Sequence, residues 1–147
     1  MTKHVIAVLP GDGIGPEVVG QARQVCDAAA DAFGFELQWN EFPFGAAYYL
    51  EHNIVLPASA LDDLAEAEVM MLGAVGDPRV KPGPLEQELL LALRFHFDQY
   101  MNLRPALSYP NVPTPVALEP GRRLDALVVR ENTEDFYMGL GGRGRGL

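Results

Sequence analysis

Cysteine is almost missing from this sequence, which has one such residue, Cys26, among 147. A single thiol cannot close a disulfide within the chain, and it cannot supply the paired thiolates of a zinc knuckle. Proteins of oxidising compartments often carry several cysteines, so this composition fits a reducing cytoplasm. We therefore predict a cytoplasmic globular protein in which Cys26 is a small buried hydrophobe.

Positive charge is also scarce, and lysine is the scarcest part of it. The formal net charge is −9, and only Lys3 and Lys81 stand beside nine arginines. Nucleic-acid binding needs a basic face to meet the phosphates, and no basic stripe is present. The sequence also lacks an apolar run of membrane-spanning length and the apolar core of a signal peptide. These absences exclude nucleic acid and membrane as expected partners and leave small molecules and proteins.

Apolar runs and glycine or proline breaks alternate along the first half of the chain, as in an α/β protein. The predicted elements are a strand at 5–9, a helix from Pro16 to Gly34, a strand at 35–42, short helices at 45–51 and 59–67, and a strand at 69–72. This βαβαβ order predicts an open, mostly parallel sheet with flanking helices, because parallel strands need crossover helices. Ligands of such sheets bind at the carboxyl ends of the strands.

Residue patterns predict further details of the helices. The apolar positions expected to face the core from the first helix are Val18, Ala22, Val25, Cys26, Ala29 and Phe33. Ser59 with Asp62 three residues later resembles a capping box that would open the helix at 59–67. A later helix is predicted through 85–97, with its core stripe on Leu85, Leu89, Leu93 and Phe97. An extended linker at 109–121 and a buried strand at 124–129 should follow it.

The turn after the first strand, Gly11-Asp12-Gly13-Ile14-Gly15-Pro16, is rich in glycine. It suggests dinucleotide binding, but Pro16 occupies the third glycine position of the Rossmann fingerprint. Asp12 would repel a pyrophosphate, so contact with the ribose, adenine or nicotinamide of a cofactor is favoured over a phosphate cradle. A turn that is merely tight is the alternative.

Three arginines stand beside apolar residues and predict an anion site. Arg94 follows Leu90 and Leu91 by about one helical turn, Arg104 comes just after the helix, and Arg130 ends an apolar run. A planar guanidinium is the side chain best matched to carboxylate or phosphate, so the three together indicate a small polyanion. Three structural ion pairs are the alternative.

Two weaker candidates are a tyrosine and a pair of aspartates. Tyr137, seven residues after Arg130, could donate a proton, although an ordinary packed tyrosine is the alternative. Asp27 and Asp31 have the helical spacing of a metal-binding pair. Arg23 lies four residues before Asp27, which favours a solvated acidic face over a metal site.

Three motifs run through the chain in a fixed order. They are Leu-Pro-Gly-Asp-Gly-Ile-Gly-Pro-Glu at 9–17, the Leu-Arg…Asn-Leu-Arg-Pro block at 93–105, and Arg-Glu-Asn-Thr-Glu at 130–134. Together they resemble the metal-dependent β-decarboxylating dehydrogenases of isopropylmalate, isocitrate, tartrate and D-malate. The resemblance implies an isopropylmalate dehydrogenase-like α/β fold rather than a true Rossmann domain. It also implies that NAD and Mg²⁺ or Mn²⁺ support oxidative decarboxylation of a malate-type 2-hydroxy dicarboxylic acid.

The resemblance further implies roles for single residues. Those expected to bind the acid are Arg94, Arg104 and Arg130, as clamps on its two carboxylates, with Leu90 and Leu91 beside them. Tyr137 is expected to protonate the enolate. Residues expected at the cofactor are Glu86 or Glu88, facing the nicotinamide, and Gly13, Ile14, Gly73 and Ala74 in the two bordering turns. The family's catalytic lysine and metal-binding aspartates, and hence the ligands of the metal, are expected outside this chain.

The choice of acid is less sharply indicated. An isocitrate enzyme would carry serine and a polar residue where this chain has Glu88 and Leu90, so isocitrate is disfavoured. Leu90 and Leu91 would suit the apolar branch of isopropylmalate. The sequence of residues 97–105 and the Arg-Glu-Asn-Thr-Glu motif look more like those of the tartrate and D-malate group.

The resemblance also implies a domain arrangement. Residues 1–100 would form the N-terminal part of a first α/β domain, and 101–147 the crossover and the beginning of a second. Family members are homodimers, so a homodimer is expected. Because the catalytic lysine and the metal ligands are expected elsewhere, a non-catalytic anion-binding or assembly module is the alternative function.

Overall fold

The structure is a computed structural model that describes residues 2–119 and 121–134, and these fall into two compact units. The N-terminal unit extends to Leu93, and the C-terminal unit begins at Arg94. The division lies within the helical region that the sequence predicts at 85–97. The domain boundary expected near residue 100 stays a prediction.

A three-stranded parallel sheet forms the centre of the N-terminal unit. Its strands are β1 (Lys3–Leu9), β2 (Glu36–Glu41) and β3 (Val69–Leu72), in the spatial order β2-β1-β3. The four residues from Ile6 to Leu9 are buried, as expected for a central strand that is covered on both faces. The predicted α/β class with a parallel sheet is confirmed.

Three helices connect these strands. They are α1 (Gly15–Phe33), α2 (Ala46–His52) and α3 (Ala58–Ala65). Pro16 lies in the first turn of α1, and Gly34, with a left-handed φ of 74°, caps its carboxyl end as the sequence predicts. The third begins directly after Pro57, without a side-chain cap. The predicted capping box of Ser59 and Asp62 is therefore wrong, because the extended backbone of Pro57 already starts the helix and places Ser59 inside its first turn.

The face of α1 that packs on the sheet matches the predicted one only in part, since Ala22, Cys26 and Ala29 are half-buried. Val18, Val25 and Phe33 are 54%, 70% and 82% exposed, whereas the buried residues are Gly15, Val19 and Ala30. Successive helical residues point about 100° apart, so an alanine-rich helix offers two neighbouring apolar faces. The face that contacts the sheet includes smaller residues, which allow a closer approach than valine and phenylalanine would. Val19 joins the core cluster of the unit, with Ile6 and Val8.

The helical region at 85–97 is more irregular than predicted. A π-helical segment runs over Glu86–Leu91, and α4 covers Ala92–His96. Leu85, Leu89 and Leu93 are buried, which confirms most of the predicted core stripe. Single π turns inside helices are frequent at functional sites, and this one includes Glu86 and Glu88.

An antiparallel ribbon of two strands characterises the C-terminal unit. It pairs β4 (Met101–Leu107) with β5 (Asp125–Glu131). The sequence does not predict β4, because Arg104 and Pro105 interrupt its apolar pattern. It does predict β5, but Leu127, Val128 and Val129 are 57%, 53% and 61% exposed, so the expectation of a buried strand is wrong. No second layer covers these side chains within the described part of the chain.

The two faces of this ribbon have different chemistry. Side chains alternate along a strand, and cross-strand partners share a face. The pairing puts Asn102 and Arg104 of β4 on the same face as Arg130 of β5. The opposite face carries exposed apolar side chains, which are Met101, Leu103, Leu107, Leu127 and Val129.

Candidate functional site

Two turns meet at the carboxyl edge of the parallel sheet, one after β1 and the other after β3. The amide of Asp12 donates to the carbonyl of Ala74 at 2.6 Å. Gly11 has a left-handed φ of 74°, and a Cβ at that position would collide with the same Ala74 carbonyl. Only glycine satisfies both the backbone angle and the close approach.

The carboxylate of Asp12 is buried and occupied by backbone donors. Its Oδ2 accepts from the amides of Ala46 at 2.8 Å and Gly76 at 3.0 Å, and its Oδ1 accepts from the amide of Ala47 at 3.2 Å. The expectation that Asp12 would repel a pyrophosphate is corrected by this geometry. Three N–H dipoles compensate the charge, and the side chain lies inside the unit.

Three of the four turn residues expected at the cofactor are exposed. Gly13, Ile14 and Ala74 are open to solvent, with Ile14 at 63% exposure. Gly73 is half-buried, and a Cβ there would collide with the Pro10 carbonyl, so this glycine serves backbone packing. Gly13, Ile14 and Ala74 thus form an exposed edge, and their contact with a cofactor stays a prediction.

The π-helical segment carries the two glutamates expected near the nicotinamide. Glu86 and Glu88 are both exposed. The Glu86 Oε2 accepts from the amide of Gly83 at 2.8 Å, which fixes the start of the segment. Leu90 and Leu91, expected beside the acid, are half-buried in the same unit.

The three arginines expected to bind the acid come together in the C-terminal unit. Arg130 is the cross-strand partner of Asn102, and the Arg104 Nε donates to the Asn102 Oδ1 at 3.0 Å. Burial lowers the pKa of Arg94, and the positive charges of Arg130 and Arg104 lower it further. Asn102 accepts this hydrogen bond from its place on β4. Because the sequence does not predict β4, it does not predict this role for Asn102.

Structural ion pairs were the alternative explanation for these arginines. Among the described residues, Arg23 pairs with Glu41 at 3.1 Å and Arg79 pairs with Asp77 at 2.7 Å. Neither Arg94 nor Arg104 forms such a pair with a carboxylate of residues 2–119 or 121–134. Internal ion pairs are therefore not supported for these two residues, and the anion site stays a prediction.

The Arg-Glu-Asn-Thr-Glu motif ends β5 in a tight turn. The Glu131 carboxylate accepts from the amides of Thr133 at 2.6 Å and Glu134 at 3.0 Å, and these bonds lower its pKa. Asn132 is 4% exposed, and its Nδ2 donates to the Gln99 carbonyl at 3.3 Å. Its Oδ1 is buried without a hydrogen-bond partner among the described residues. Asn132 belongs to the third sequence motif, but the motif alone does not predict its burial or its contact with Gln99.

The remaining candidates give no site in the described residues. Tyr137 lies outside them. Asp27 accepts a hydrogen bond from the Trp39 Nε1 at 2.8 Å. With Asp31 it borders an open groove of about 420 Å³. Residues 2–119 and 121–134 contain no group of three His, Cys, Asp or Glu side chains that could hold a metal ion. No helix in that part of the chain has the length and apolarity needed to cross a membrane.

Comparison with known proteins identifies the family. The family model for isocitrate/isopropylmalate dehydrogenase matches residues 5–144. The chain belongs to this family. The family resemblance and the isopropylmalate dehydrogenase-like fold expected from the three motifs are thereby confirmed.

Relatives within the family show how much of it the chain covers. The 3-isopropylmalate dehydrogenase of Thermobifida fusca is 47% identical over 137 residues, which are 93% of this chain and 39% of that protein. The enzyme of the same name from Bifidobacterium longum is 46% identical over 139 residues, or 95% and 40%. The chain therefore spans about 40% of the length of these relatives.

Two solved structures agree with the family assignment. The isocitrate dehydrogenase from Methylococcus capsulatus is 30% identical, with a TM-score of 0.73 over 93% of this chain and 37% of that one. The TT0538 protein from Thermus thermophilus is 34% identical, with a TM-score of 0.69 over 91% and 25%. The described structure is thus one part of the family fold.

Proposed function

We propose that this chain is the part of an NAD-dependent decarboxylating dehydrogenase that binds a malate-type 2-hydroxy dicarboxylic acid. The observation that carries the proposal is the arginine cluster of the C-terminal unit, in which burial of Arg94 and then the nearby charges of Arg130 and Arg104 lower the pKa of Arg94. A bound dianion relieves the repulsion between such charges, and guanidinium groups match carboxylates in geometry. Family membership supports the reaction class.

In this proposal, the described residues bind and orient the reactants. Arg94, Arg104 and Arg130 hold the two carboxylates of the acid. The exposed turn edge of the N-terminal unit, together with Glu86 or Glu88, contacts NAD, which when bound supplies the acceptor for the hydride. After the β-carboxylate leaves as carbon dioxide, Tyr137 donates a proton to the enolate carbon.

The divalent ion used in this family has no ligand set among the described residues. We therefore assign it no residue of this chain, and the ligands through which it would support the loss of carbon dioxide are expected outside the described residues. The proposal is limited to substrate and cofactor contacts and to the proton of Tyr137.

We propose 3-isopropylmalate as the first candidate substrate and the tartrate and D-malate group as the second. The names of the two relatives support the first choice. Leu90 and Leu91 support it as well, because they keep part of their apolar surface open. Burial of a three-carbon branch against such side chains contributes about 2 kcal/mol, whereas tartrate and D-malate have no branch to bury.

Binding calorimetry with each acid tests the clamp and the preference together. We expect 3-isopropylmalate to bind about tenfold or more tightly than D-malate. Arg104→Ala should weaken binding of both acids by about 2 kcal/mol, because a charge-assisted hydrogen bond is lost. Arg122→Ala, which removes an exposed arginine of the same unit, is the matched control and should bind as the wild type does.

Two outcomes would contradict parts of this proposal. Wild-type affinity in Arg104→Ala would remove Arg104 from the site. A preference for D-malate over 3-isopropylmalate would reverse the order of substrates and support the tartrate and D-malate group.

The reaction itself is tested on the protein isolated from its source cell. We expect NADH to form from the preferred acid with Mn²⁺ present. Binding of the acid without any NADH formation would support a non-catalytic anion-binding module instead. We also propose that the protein is cytoplasmic and that it forms a homodimer. Sedimentation of the isolated protein would test the homodimer.

A further inference from the structure

Asp12 links three separate segments at the sheet edge of the N-terminal unit. Its carboxylate bonds reach residues between 34 and 64 positions away in sequence. Its main chain adds a donor bond to Ala74 and an acceptor bond from the amide of Gly15. One buried side chain thus connects the turn after β1 with the start of α2 and with the turn after β3.

The start of α2 depends on Asp12 for its cap. The residue before the helix is Gly45, which has no side chain to offer. The Asp12 oxygens accept instead from the first two helical amides, those of Ala46 and Ala47. A negatively charged acceptor there satisfies amides that have no partner within the helix. A Cβ on Gly45 would lie 2.9 Å from the Asp12 Oδ1, so glycine leaves room for the carboxylate.

The turn after β3 is held by Asp12 at two points, one on each side of Val75. The Ala74 carbonyl accepts from the Asp12 amide, and the Gly76 amide donates to the Asp12 Oδ2. Gly13 and Ile14 follow Asp12 directly in the chain. The bonds of Asp12 therefore set the spacing between these two residues and Ala74, which together form the exposed edge.

We propose that Asp12 is a positioning residue for cofactor binding. It holds the two turns at the spacing at which Gly13, Ile14 and Ala74 contact NAD, and it does not touch NAD itself. The Asp12 side chain is buried and its carboxylate accepts three backbone hydrogen bonds, so it offers little surface for direct contact with a ligand. This inference rests on the proposed function, because it takes NAD as the ligand of the exposed edge.

Two substitutions in the 147-residue chain separate positioning from general stability. Asp12→Asn keeps the side-chain shape and one carbonyl oxygen, so it retains the bonds from Ala46 and Gly76 and loses the one from Ala47. Asp12→Ala loses all three. Asp62→Asn, which neutralises an exposed carboxylate on α3, is the matched control. The readouts are backbone amide hydrogen exchange by NMR and the dissociation constant of NAD by calorimetry.

We expect a larger effect from Asp12→Ala than from Asp12→Asn. Asp12→Ala should speed exchange at Ala46, Ala47 and Gly76 by about tenfold or more and weaken NAD binding by about tenfold or more. Asp12→Asn should speed exchange at Ala47 alone and weaken NAD binding less. The exchange of Ala7 in β1 should stay within about twofold of wild type in both variants, since only the edge is loosened.

Three results would overturn the inference. The first is unchanged NAD affinity in a variant whose Gly76 amide exchanges faster. The second is faster exchange at Ala7 in Asp12→Asn, which would make Asp12 a general stabiliser of the unit. The third is unchanged exchange at Gly76 in Asp12→Ala. A wild-type chain that shows no saturable NAD binding would contradict the proposed function instead, and that failure is read from the calorimetry of the wild type alone.

Discussion

Arg79 in the N-terminal unit and Arg94 in the C-terminal unit lie in opposite electrostatic environments. The Arg79 Nη2 lies 2.7 Å from the Asp77 Oδ2, and this hydrogen-bonded pair raises the pKa of Arg79. The pKa of Arg94 is lowered by burial and then by Arg130 and Arg104. The first arrangement satisfies a charge within its own loop. The second brings three positively charged side chains near one another, which is more typical of a functional site than of a packed core.

The two units also differ in how deeply their strand residues are buried. In the parallel sheet, Val8 and Leu9 are fully buried. In the ribbon, the strand residues with the same side chains, Val129 and Leu127, are 61% and 57% exposed. Within the described residues, the N-terminal unit has the features of a self-supporting core, and the C-terminal unit has those of a surface that presents functional groups.

The largest expected effect concerns this difference in packing. Leu9→Ala should lower the free energy of unfolding by about 3 to 5 kcal/mol, because it leaves a cavity in a closed core. Leu127→Ala removes the same atoms from an exposed position and should cost less than about 1 kcal/mol. Urea unfolding of both variants measures the contrast. Equal losses would show that the ribbon is as closely packed as the sheet.

An intermediate effect is expected from neutralising Arg94. Arg94→Met keeps most of the aliphatic stem and removes the charge that Arg130 and Arg104 repel, so the chain should be more stable by about 0.5 to 1 kcal/mol. Binding of the dicarboxylic acid should weaken at the same time. Thermal unfolding and calorimetry of one sample give both values. A loss of stability with unchanged acid binding would mean that Arg94 has a structural role and not a binding role.

The smallest expected effect concerns the paired arginine. Hydrogen bonds from Arg79 lower the pKa of Asp77 from 3.8 to about 2. A carboxylate with a lowered folded pKa contributes stability above pH 3.8, and this contribution is lost as the pH falls toward 2. Arg79→Met should return the pKa of Asp77 toward 3.8 in an NMR titration, while Arg23→Met should leave it unchanged. If the pKa of Asp77 is the same in Arg79→Met as in the wild type, the pair does not form in solution.

The sequence predicts the N-terminal unit better than the C-terminal one, for physical reasons. The strand at 5–9 is continuous and β-branched, and Pro16 and Gly34 mark the ends of the helix that follows, so local signals suffice there. The buried face of α1 was predicted only in part, because Val18 and Val19 are neighbours and only the shape of the sheet selects between them. The strand β4 was missed, because its pairing with β5 compensates for a proline that local rules read as a break.

The site was predictable in its residue types and less so in its geometry. Arginines next to leucines indicate an anion site, but only the pairing of β4 with β5 brings Arg104 and Arg130 onto one face. The bonds of Asp12 to Ala46 and Gly76 span distances in sequence that no local pattern encodes. The expectation that Asp12 would repel a pyrophosphate failed for this reason.

The central claim, that the arginine cluster binds the two carboxylates of one acid, is tested most directly by NMR. The arginine Nε–H signals of the chain would be followed during titration with 3-isopropylmalate and, separately, with acetate. We predict that the signals of Arg94, Arg104 and Arg130 shift together and saturate with 3-isopropylmalate at a concentration at which acetate has little effect. Equal shifts with the two ligands, or shifts confined to other arginines, would contradict the account.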